Sequence, residues 1–103
     1  MELEKRITGN KATAAFHGRV DAKTAPEYEN ALLALPKEIM ALDIDFEDVD
    51  YISSAGLRVL MKVQKIYEEK GGSVKIVGAK DEIIEIFEVT GFTEFLDIEG
   101  LQD

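Results

Sequence analysis

The chain has 103 residues, 46% of them apolar, a length that forms one compact domain around one core and is too short for two independent ones. Its 21 acidic and 12 basic residues give a formal net charge of -9, which disfavours contact with nucleic acid phosphates and anionic lipid headgroups. The sequence has no cysteine, which excludes disulfides, thiolate metal sites and a cysteine nucleophile.

The first predicted elements are a β-hairpin and a helix. The segments LEKRI and KATAAFHGRV flank Gly9 and Asn10, a pair that tolerates the positive φ angles of a tight turn. Further on, Thr24 and Glu27 have the spacing of a capping box, and Pro36 marks the end of the helix that follows. Apolar side chains recur along that helix at intervals that make one stripe: Tyr28, Ala31, Leu32 and Leu35.

The second half of the chain alternates strands and helices. The segment ALDIDF alternates apolar and acidic residues, which predicts a strand with one buried and one wetter face. A helix over residues 57–70 ends at Gly71 and Gly72, and SVKIVGA is a further strand. A third helix occupies residues 81–91, and the remaining residues give a short strand.

This order of elements predicts the fold class. Strands that alternate with helices are typical of an α/β domain with largely parallel crossovers. We predict one domain over residues 1–103, with a mixed, mostly parallel sheet of about four to five strands and helices packed mainly on one face.

Three patterns that could carry chemistry have simpler interpretations. Acidic residues that alternate along a strand point to one face, and we interpret that face as solvated rather than as a metal site. His17 is the one histidine, so no histidine triad or zinc site can be built, and we interpret it as a surface residue. Gly71 and Gly72 lack the lysine and hydroxyl of a phosphate-binding loop. We therefore predict no enzyme activity, metal or cofactor. The acidic cluster comprises Asp43, Asp45, Glu47, Asp48 and Asp50, and the first three of these residues alternate along the strand.

The N-terminal residues MELEKRITGN mix charges and lack the apolar core of a signal peptide. No apolar run approaches the roughly 18 residues that span a bilayer. We expect a soluble, cytoplasmic protein without direct membrane insertion and without a nucleic acid partner.

Two adjacent serines stand where the strand gives way to the helix of residues 57–70. Projected at about 100° per residue, Ser53 lies over the apolar side chain of Leu57 and Ser54 lies over Arg58. This separation predicts Ser53 as the N-cap and Ser54 as an exposed first helical residue. Gly56 falls inside the first turn, where it costs about 1 kcal/mol relative to alanine, which indicates that bulk is excluded there.

Two interpretations of this junction remain open from the residues alone. The first is a capped helix with a solvated basic face. The second is a regulated phosphoacceptor at Ser54, because a phosphate there would lie beside free helix-start amides and one turn from Arg58. The same charge would be costly at a docking surface, so it could switch binding without unfolding the domain.

The whole chain resembles a STAS domain of the anti-sigma factor antagonist family. The segment GRVDAKTAPEYENAL resembles the family's Gly-x-hydrophobic-Asp turn and first helix. The segment from residue 42 to residue 79 resembles its phosphorylation motif, in which Asp-Ser-Ser/Thr-Gly-Leu follows an aromatic and a hydrophobic residue. Tyr51, Ile52, Ser54 and Gly56-Leu57 match that motif, whereas Ser53 and Ala55 replace the Asp and the second hydroxyl.

The resemblance implies a partner-switching cycle. The unphosphorylated domain would bind an anti-sigma factor that is also a serine kinase, and so free the sigma factor. Phosphorylation of Ser54 would end that interaction, and a metal-dependent serine phosphatase would restore it. By the same resemblance the partner-binding surface would include the turn of residues 18–24 and the start of the second helix: Asp21, Thr24, Ser53, Ser54, Gly56 and Arg58.

Two alternatives belong to other classes of protein. A stand-alone STAS subunit of a transport or stress-signalling assembly would keep the fold without a kinase cycle. A response-regulator receiver would need five helices and an acidic pair at the end of its first strand, which this chain does not have.

Overall fold

A computed structural model describes residues 3–100, so both ends of the predicted 1–103 domain lie outside the described part. The elements follow the predicted order, with one short 3-10 turn added before the last strand. They are β1 Glu4–Thr8, β2 Lys11–Val20, α1 Ala25–Leu33, β3 Ala41–Ile52, α2 Ser54–Glu69, β4 Ser73–Val77, α3 Asp81–Val89, the 3-10 turn Phe92–Glu94 and β5 Asp97–Ile98.

The sheet has five strands in the order β1-β2-β3-β4-β5. β1 is antiparallel to β2 across the predicted tight turn, where Gly9 has a φ of 60°, and every other neighbouring pair is parallel. Right-handed crossovers that all advance in one direction place their helices on the same face of the sheet. The mixed, mostly parallel sheet with helices on one face is therefore confirmed.

The core lies between that face and the helices. In β3, Leu42, Ile44 and Phe46 are buried. The acidic residues that alternate with them point away from the helices. Asp43 and Asp45 are half-buried and Glu47 is exposed, so the alternation is confirmed. Among residues 3–100 there is no group of three or more histidine, cysteine or acidic side chains that could hold a metal ion.

An aromatic cluster ties α1 to the sheet. The rings of Phe16 and Tyr28 stack with centroids 4.0 Å apart, and Phe46 lies 5.4 Å from Phe16. The buried Tyr28 hydroxyl donates to the carbonyl oxygen of His17 at 2.7 Å and accepts from its backbone N–H at 3.1 Å. Because both polar ends of the contact are satisfied, the tyrosine can be fully buried.

His17 lies at the surface but is partly covered. Its side chain is only 29% exposed, and Nδ1 lies 3.1 Å from Oδ2 of Asp48 on the neighbouring strand. The register between β2 and β3 is irregular on either side of His17. No helix in the described part of the chain is long and apolar enough to cross a lipid bilayer.

Candidate functional site

The candidate site forms where β2 and β3 end side by side. Val20 pairs with Ile52 in the parallel register, and the backbone N–H of Ser53 donates to the carbonyl oxygen of Val20 at 2.9 Å. The loop that follows β2 and the helix that follows β3 therefore start next to each other. The two segments that the resemblance assigned to one partner-binding surface are therefore adjacent.

Ser53 is the N-cap of α2, as predicted. Its backbone is extended, with φ -96° and ψ 176°, and its Oγ accepts from the backbone N–H of Gly56 at 3.4 Å. The carbonyl oxygen of Ser53 accepts from Leu57 at 2.9 Å and begins the helical ladder. The side chain is half-buried because this hydrogen bond turns it back toward the helix.

Ser54 is the first residue of α2 and its side chain is exposed. The hydroxyl makes no hydrogen bond to any residue of the described part of the chain, and the first turn of the helix carries no acidic residue. Arg58 is exposed one turn further along the same face and forms no ion pair within residues 3–100. The site thus offers a free hydroxyl, first-turn amides and one free guanidinium group.

Gly56 lies beneath this surface. A Cβ at this position would approach Ile52 Cγ1 to 2.7 Å, Val20 Cγ1 to 2.8 Å and the Val20 carbonyl oxygen to 2.9 Å. No L side chain fits at those distances without a shift of the β2 backbone. The buried glycine lets the first turn of α2 pack against the end of β2, and this packing sets the position of the exposed residues above it.

The predicted capping box of Thr24 and Glu27 is wrong. Thr24 has a helical backbone, with φ -94° and ψ -23°, and its side chain does not cap α1. The reciprocal box lies three residues earlier: Oδ1 of Asp21 accepts from the backbone N–H of Thr24 at 3.1 Å, and the backbone N–H of Asp21 donates to Thr24 Oγ1 at 3.0 Å. Both pairs have the same sequence spacing, and the end of β2 at Val20 makes Asp21 the first residue free to cap.

Asp21 is also bound by its other neighbours. Oδ1 accepts from the backbone N–H of Lys23 at 3.0 Å, and Oδ2 lies 3.5 Å from Nε of Arg19. The backbone N–H of Thr24 is the main cause that lowers the pKa of Asp21 from its usual value, and Lys23 and Arg19 act in the same direction. The carboxylate is therefore held in its ionised form by the loop it organises.

Arg19 and Tyr51 join the site although sequence reasoning gave neither a role in a contact. Cζ of Arg19 lies 4.2 Å from the centroid of the Tyr51 ring, a cation–π arrangement, and the two residues are register partners in β2 and β3. The guanidinium links the loop through Asp21 to the strand that leads into Ser53. The alternation of apolar and polar residues along each strand was the one sequence signal for this contact. It does not show which residues of two strands lie opposite each other.

A groove of about 470 Å³ between α1 and α2 connects the two segments. Ala22 of the loop and Arg58 of the helix line it together. Glu29 and Lys62, which form an ion pair 3.0 Å long, line it as well. Of the predicted partner residues, Arg58 lines this groove. Ser54 and Arg58 are exposed, Asp21, Ser53 and Thr24 are half-buried, and Gly56 is buried.

Comparison with solved structures first gives the fold. An anti-sigma factor antagonist from Mycobacterium paratuberculosis has the same fold, with a TM-score of 0.82, 23% identity, and coverage of 99% of this chain and 87% of that chain. The phosphorylated form of the Bacillus cell fate determinant SpoIIAA gives a TM-score of 0.73 at 11% identity, covering 94% of this chain and 90% of that one. These likenesses show that the chain shares its fold with these two proteins.

Sequence comparison then gives the family. The family model described as "Mlab, STAS domain" matches residues 3–100. The anti-sigma-B factor antagonist of Bacillus subtilis is 32% identical over 98 residues, which cover 95% of this chain and 90% of the relative. The chain belongs to the STAS domain family of anti-sigma factor antagonists.

Proposed function

We propose that this protein is an anti-sigma factor antagonist switched by phosphorylation of Ser54. The unphosphorylated form binds an anti-sigma factor that is also a serine kinase, and this binding frees the sigma factor. The kinase then phosphorylates Ser54 and the complex dissociates. A metal-dependent serine phosphatase removes the phosphate, and the whole cycle runs in the cytoplasm.

The observation that carries this proposal is the division between the two serines. Ser53 is engaged as a cap, whereas Ser54 is exposed and its hydroxyl has no partner among residues 3–100. A kinase can therefore reach Ser54 without breaking a hydrogen bond of the fold. The existence of a phosphorylated form of SpoIIAA, which shares the fold, supports an acceptor serine in a domain of this shape.

The switch follows from charge. Phosphorylation adds about -1.5 to -2 charges at pH 7. At Ser54 this charge meets first-turn amides and Arg58, so the domain tolerates it, since the first turn of α2 has no carboxylate to oppose it. At a docked interface the same phosphate must be desolvated or face the partner's own charges, which costs several kcal/mol. Binding is lost while the fold is kept.

In this cycle the domain is the substrate of the kinase and the phosphatase and catalyses no step itself. The contact surface comprises the loop after β2 and the start of α2, joined by the groove that Ala22 and Arg58 line. These segments are the ones in which the resemblance placed Asp21, Thr24, Ser53, Ser54, Gly56 and Arg58.

One observation favours a second candidate. Ser53 stands where the phosphorylated members of the family carry Asp, so the acceptor lacks its neighbouring carboxylate. A STAS subunit of a transport or stress-signalling assembly, with no kinase cycle, would have no need of that carboxylate. In that case Ser54 would serve only as an exposed helix-start residue at a permanent interface.

A phosphorylation and binding experiment separates the two candidates. Each histidine-kinase-like ATPase of the host is purified and incubated with the domain, ATP and magnesium, and the phosphorylated residue is mapped by mass spectrometry. We expect one phosphate, on Ser54, and we expect Ser54→Asp to lose binding to the same ATPase while its circular dichroism spectrum stays unchanged. Ser73→Asp is the matched control, because Ser73 is exposed at the start of β4.

A phosphate found on Ser53 would contradict the site assignment. A Ser54→Asp complex of undiminished affinity would contradict the switch. If no ATPase of the host phosphorylates or binds the domain, the permanent-subunit candidate replaces the proposal.

A further inference from the structure

The loop that connects β2 to α1, residues 21–24, contains two kinds of side chain. Those of Asp21 and Thr24 are half-buried and hydrogen-bonded within the loop, whereas those of Ala22 and Lys23 are exposed. The family resemblance points to Asp21 and Thr24 as contacts to the partner. Their geometry indicates a different role.

The polar atoms of Asp21 are already occupied. Oδ1 accepts from the backbone N–H groups of Lys23 and Thr24, at 3.0 and 3.1 Å, and lies 3.3 Å from Thr24 Oγ1. Oδ2 lies 3.5 Å from Nε of Arg19. A partner that bonded this carboxylate would compete with contacts that hold the loop in shape.

The Thr24 hydroxyl is occupied as well. It accepts from the backbone N–H of Asp21 at 3.0 Å and donates its single proton to the carbonyl oxygen of Arg19 at 2.8 Å. These contacts hold the loop against the end of β2. The next residue of β2, Val20, accepts a hydrogen bond at its carbonyl oxygen from the backbone N–H of Ser53 at 2.9 Å. Hydrogen bonds to the end of β2 thus connect the loop to the start of α2.

Lys23 is the charged side chain of the loop that remains available. It is exposed, and its amino group forms no ion pair or hydrogen bond to any residue between 3 and 100. On a chain of net charge -9 an available cation beside the candidate docking surface can select a partner by charge.

We propose that Asp21 and Thr24 are positioning residues that hold this loop against the start of α2, and that Lys23 is the loop's contact with a carboxylate of the partner ATPase. The inference rests on the proposed function for the identity of the partner. It gives a positioning role to Asp21 and Thr24, which the resemblance assigned to the contact surface, and adds Lys23 as a contact.

Conservative and non-conservative substitutions distinguish positioning from contact. Asn at position 21 keeps the oxygen that caps the loop amides but loses the charge, and Ser at position 24 keeps the hydroxyl. Ala at 21 and Val at 24 remove the capping groups. If Asp21 bonded the partner through its charge, Asp21→Asn and Asp21→Ala would be equally impaired.

The first measurement uses the free protein and does not depend on any partner. Amide hydrogen exchange of Lys23 and Thr24 is followed by NMR at constant pH. We expect about tenfold faster exchange in Asp21→Ala and Thr24→Val, and rates within about twofold of wild type in Asp21→Asn and Thr24→Ser. Unchanged exchange in Asp21→Ala would overturn the positioning role.

The second measurement is the affinity of the unphosphorylated variants for the purified ATPase by calorimetry. We expect Asp21→Asn and Thr24→Ser to bind within about threefold of wild type, and Asp21→Ala, Thr24→Val and Lys23→Glu to bind at least about tenfold more weakly. Lys37→Glu is the control, because Lys37 is exposed beyond α1.

Loss of binding in Asp21→Asn with normal amide exchange would make Asp21 a direct contact and overturn the positioning role. Undiminished binding of Lys23→Glu would overturn the contact role of Lys23. If wild-type protein binds no host ATPase, the proposed function fails and the Lys23 contact fails with it, whereas the exchange measurement still decides the roles of Asp21 and Thr24.

Discussion

Gly56 in the first turn of α2 lies directly against Val20 at the end of β2. A Cβ on Gly56 would come within 2.9 Å of the Val20 carbonyl oxygen, which also accepts the hydrogen bond from Ser53. The first turn of α2 therefore packs against the end of β2 through a residue without a side chain. The position of Ser54 depends on that contact.

Gly56→Ala is expected to lower the free energy of unfolding. Alanine favours a helix by about 1 kcal/mol over glycine, but crowding against the β2 backbone costs about 1–3 kcal/mol, and the sheet cannot yield as a flexible side chain would. Urea unfolding measures the difference. Ser54→Ala changes an exposed residue two positions earlier, and its free energy of unfolding should stay within about 0.5 kcal/mol of wild type. A stabilised Gly56→Ala protein would contradict the close contact.

Ser53 is expected to contribute as a helix cap. Ser53→Ala should destabilise the protein by about 1 kcal/mol, because the Gly56 amide loses its acceptor. Ser53→Asp should be at least as stable as wild type, since a carboxylate is an equal cap and is favoured at a helix N-terminus. Chemical unfolding of both variants tests this pair of outcomes. Equal stability of wild type and Ser53→Ala would show that the 3.4 Å contact is not a functional cap.

Arg58 is expected to pair with the phosphate on Ser54 in the same molecule. Because a nearby cation favours the dianion, Arg58→Ala should raise the second pKa of the phosphoserine. A phosphorus NMR titration of the phosphorylated protein measures it. Lys65→Ala, which removes an exposed cation further along α2, is the control and should leave that pKa unchanged. An identical titration in Arg58→Ala would remove the support for pairing.

Tyr28→Phe tests the polar contact inside the core. The change leaves the backbone N–H and carbonyl of His17 without the hydroxyl that serves both, so we expect a loss of about 1–3 kcal/mol. Thermal and urea unfolding give the value. Tyr51→Phe removes a hydroxyl from a more exposed ring and should cost less than about 0.5 kcal/mol. Similar losses of unfolding free energy in both variants would contradict a stabilising role for the hydrogen bonds between Tyr28 and His17.

Asp21 is expected to make folding sensitive to acid. Its pKa in the folded protein is lowered, chiefly by the Thr24 backbone N–H, so its contribution is present above the unfolded pKa and is lost as the pH falls through the folded pKa. Stability curves between neutral and strongly acidic pH should therefore fall less steeply for Asp21→Asn than for wild type. Asp97→Asn, in the short last strand, is the control. Parallel curves for wild type and Asp21→Asn would contradict the lowered pKa.

The sequence alone determined the order of the elements and the different positions of the two serines. Hydrophobic periodicity fixes strands and helices because it follows from local backbone geometry, with a period of two or of about 3.6 residues. The separation of Ser53 from Ser54 follows from the same geometry within one turn of α2. The steric requirement at Gly56 was also indicated, since a glycine in a helix has a local cost.

Only the tertiary structure decided what depends on the pairing of β2 with β3. Asp21 with Thr24, and Thr24 with Glu27, have the same spacing, and the choice between them depends on β2 ending at Val20 opposite Ile52. The stacking of Arg19 on Tyr51 depends on the same register. These contacts join residues that are distant in the chain, and strand register is set by the packing of the whole sheet rather than by any local pattern.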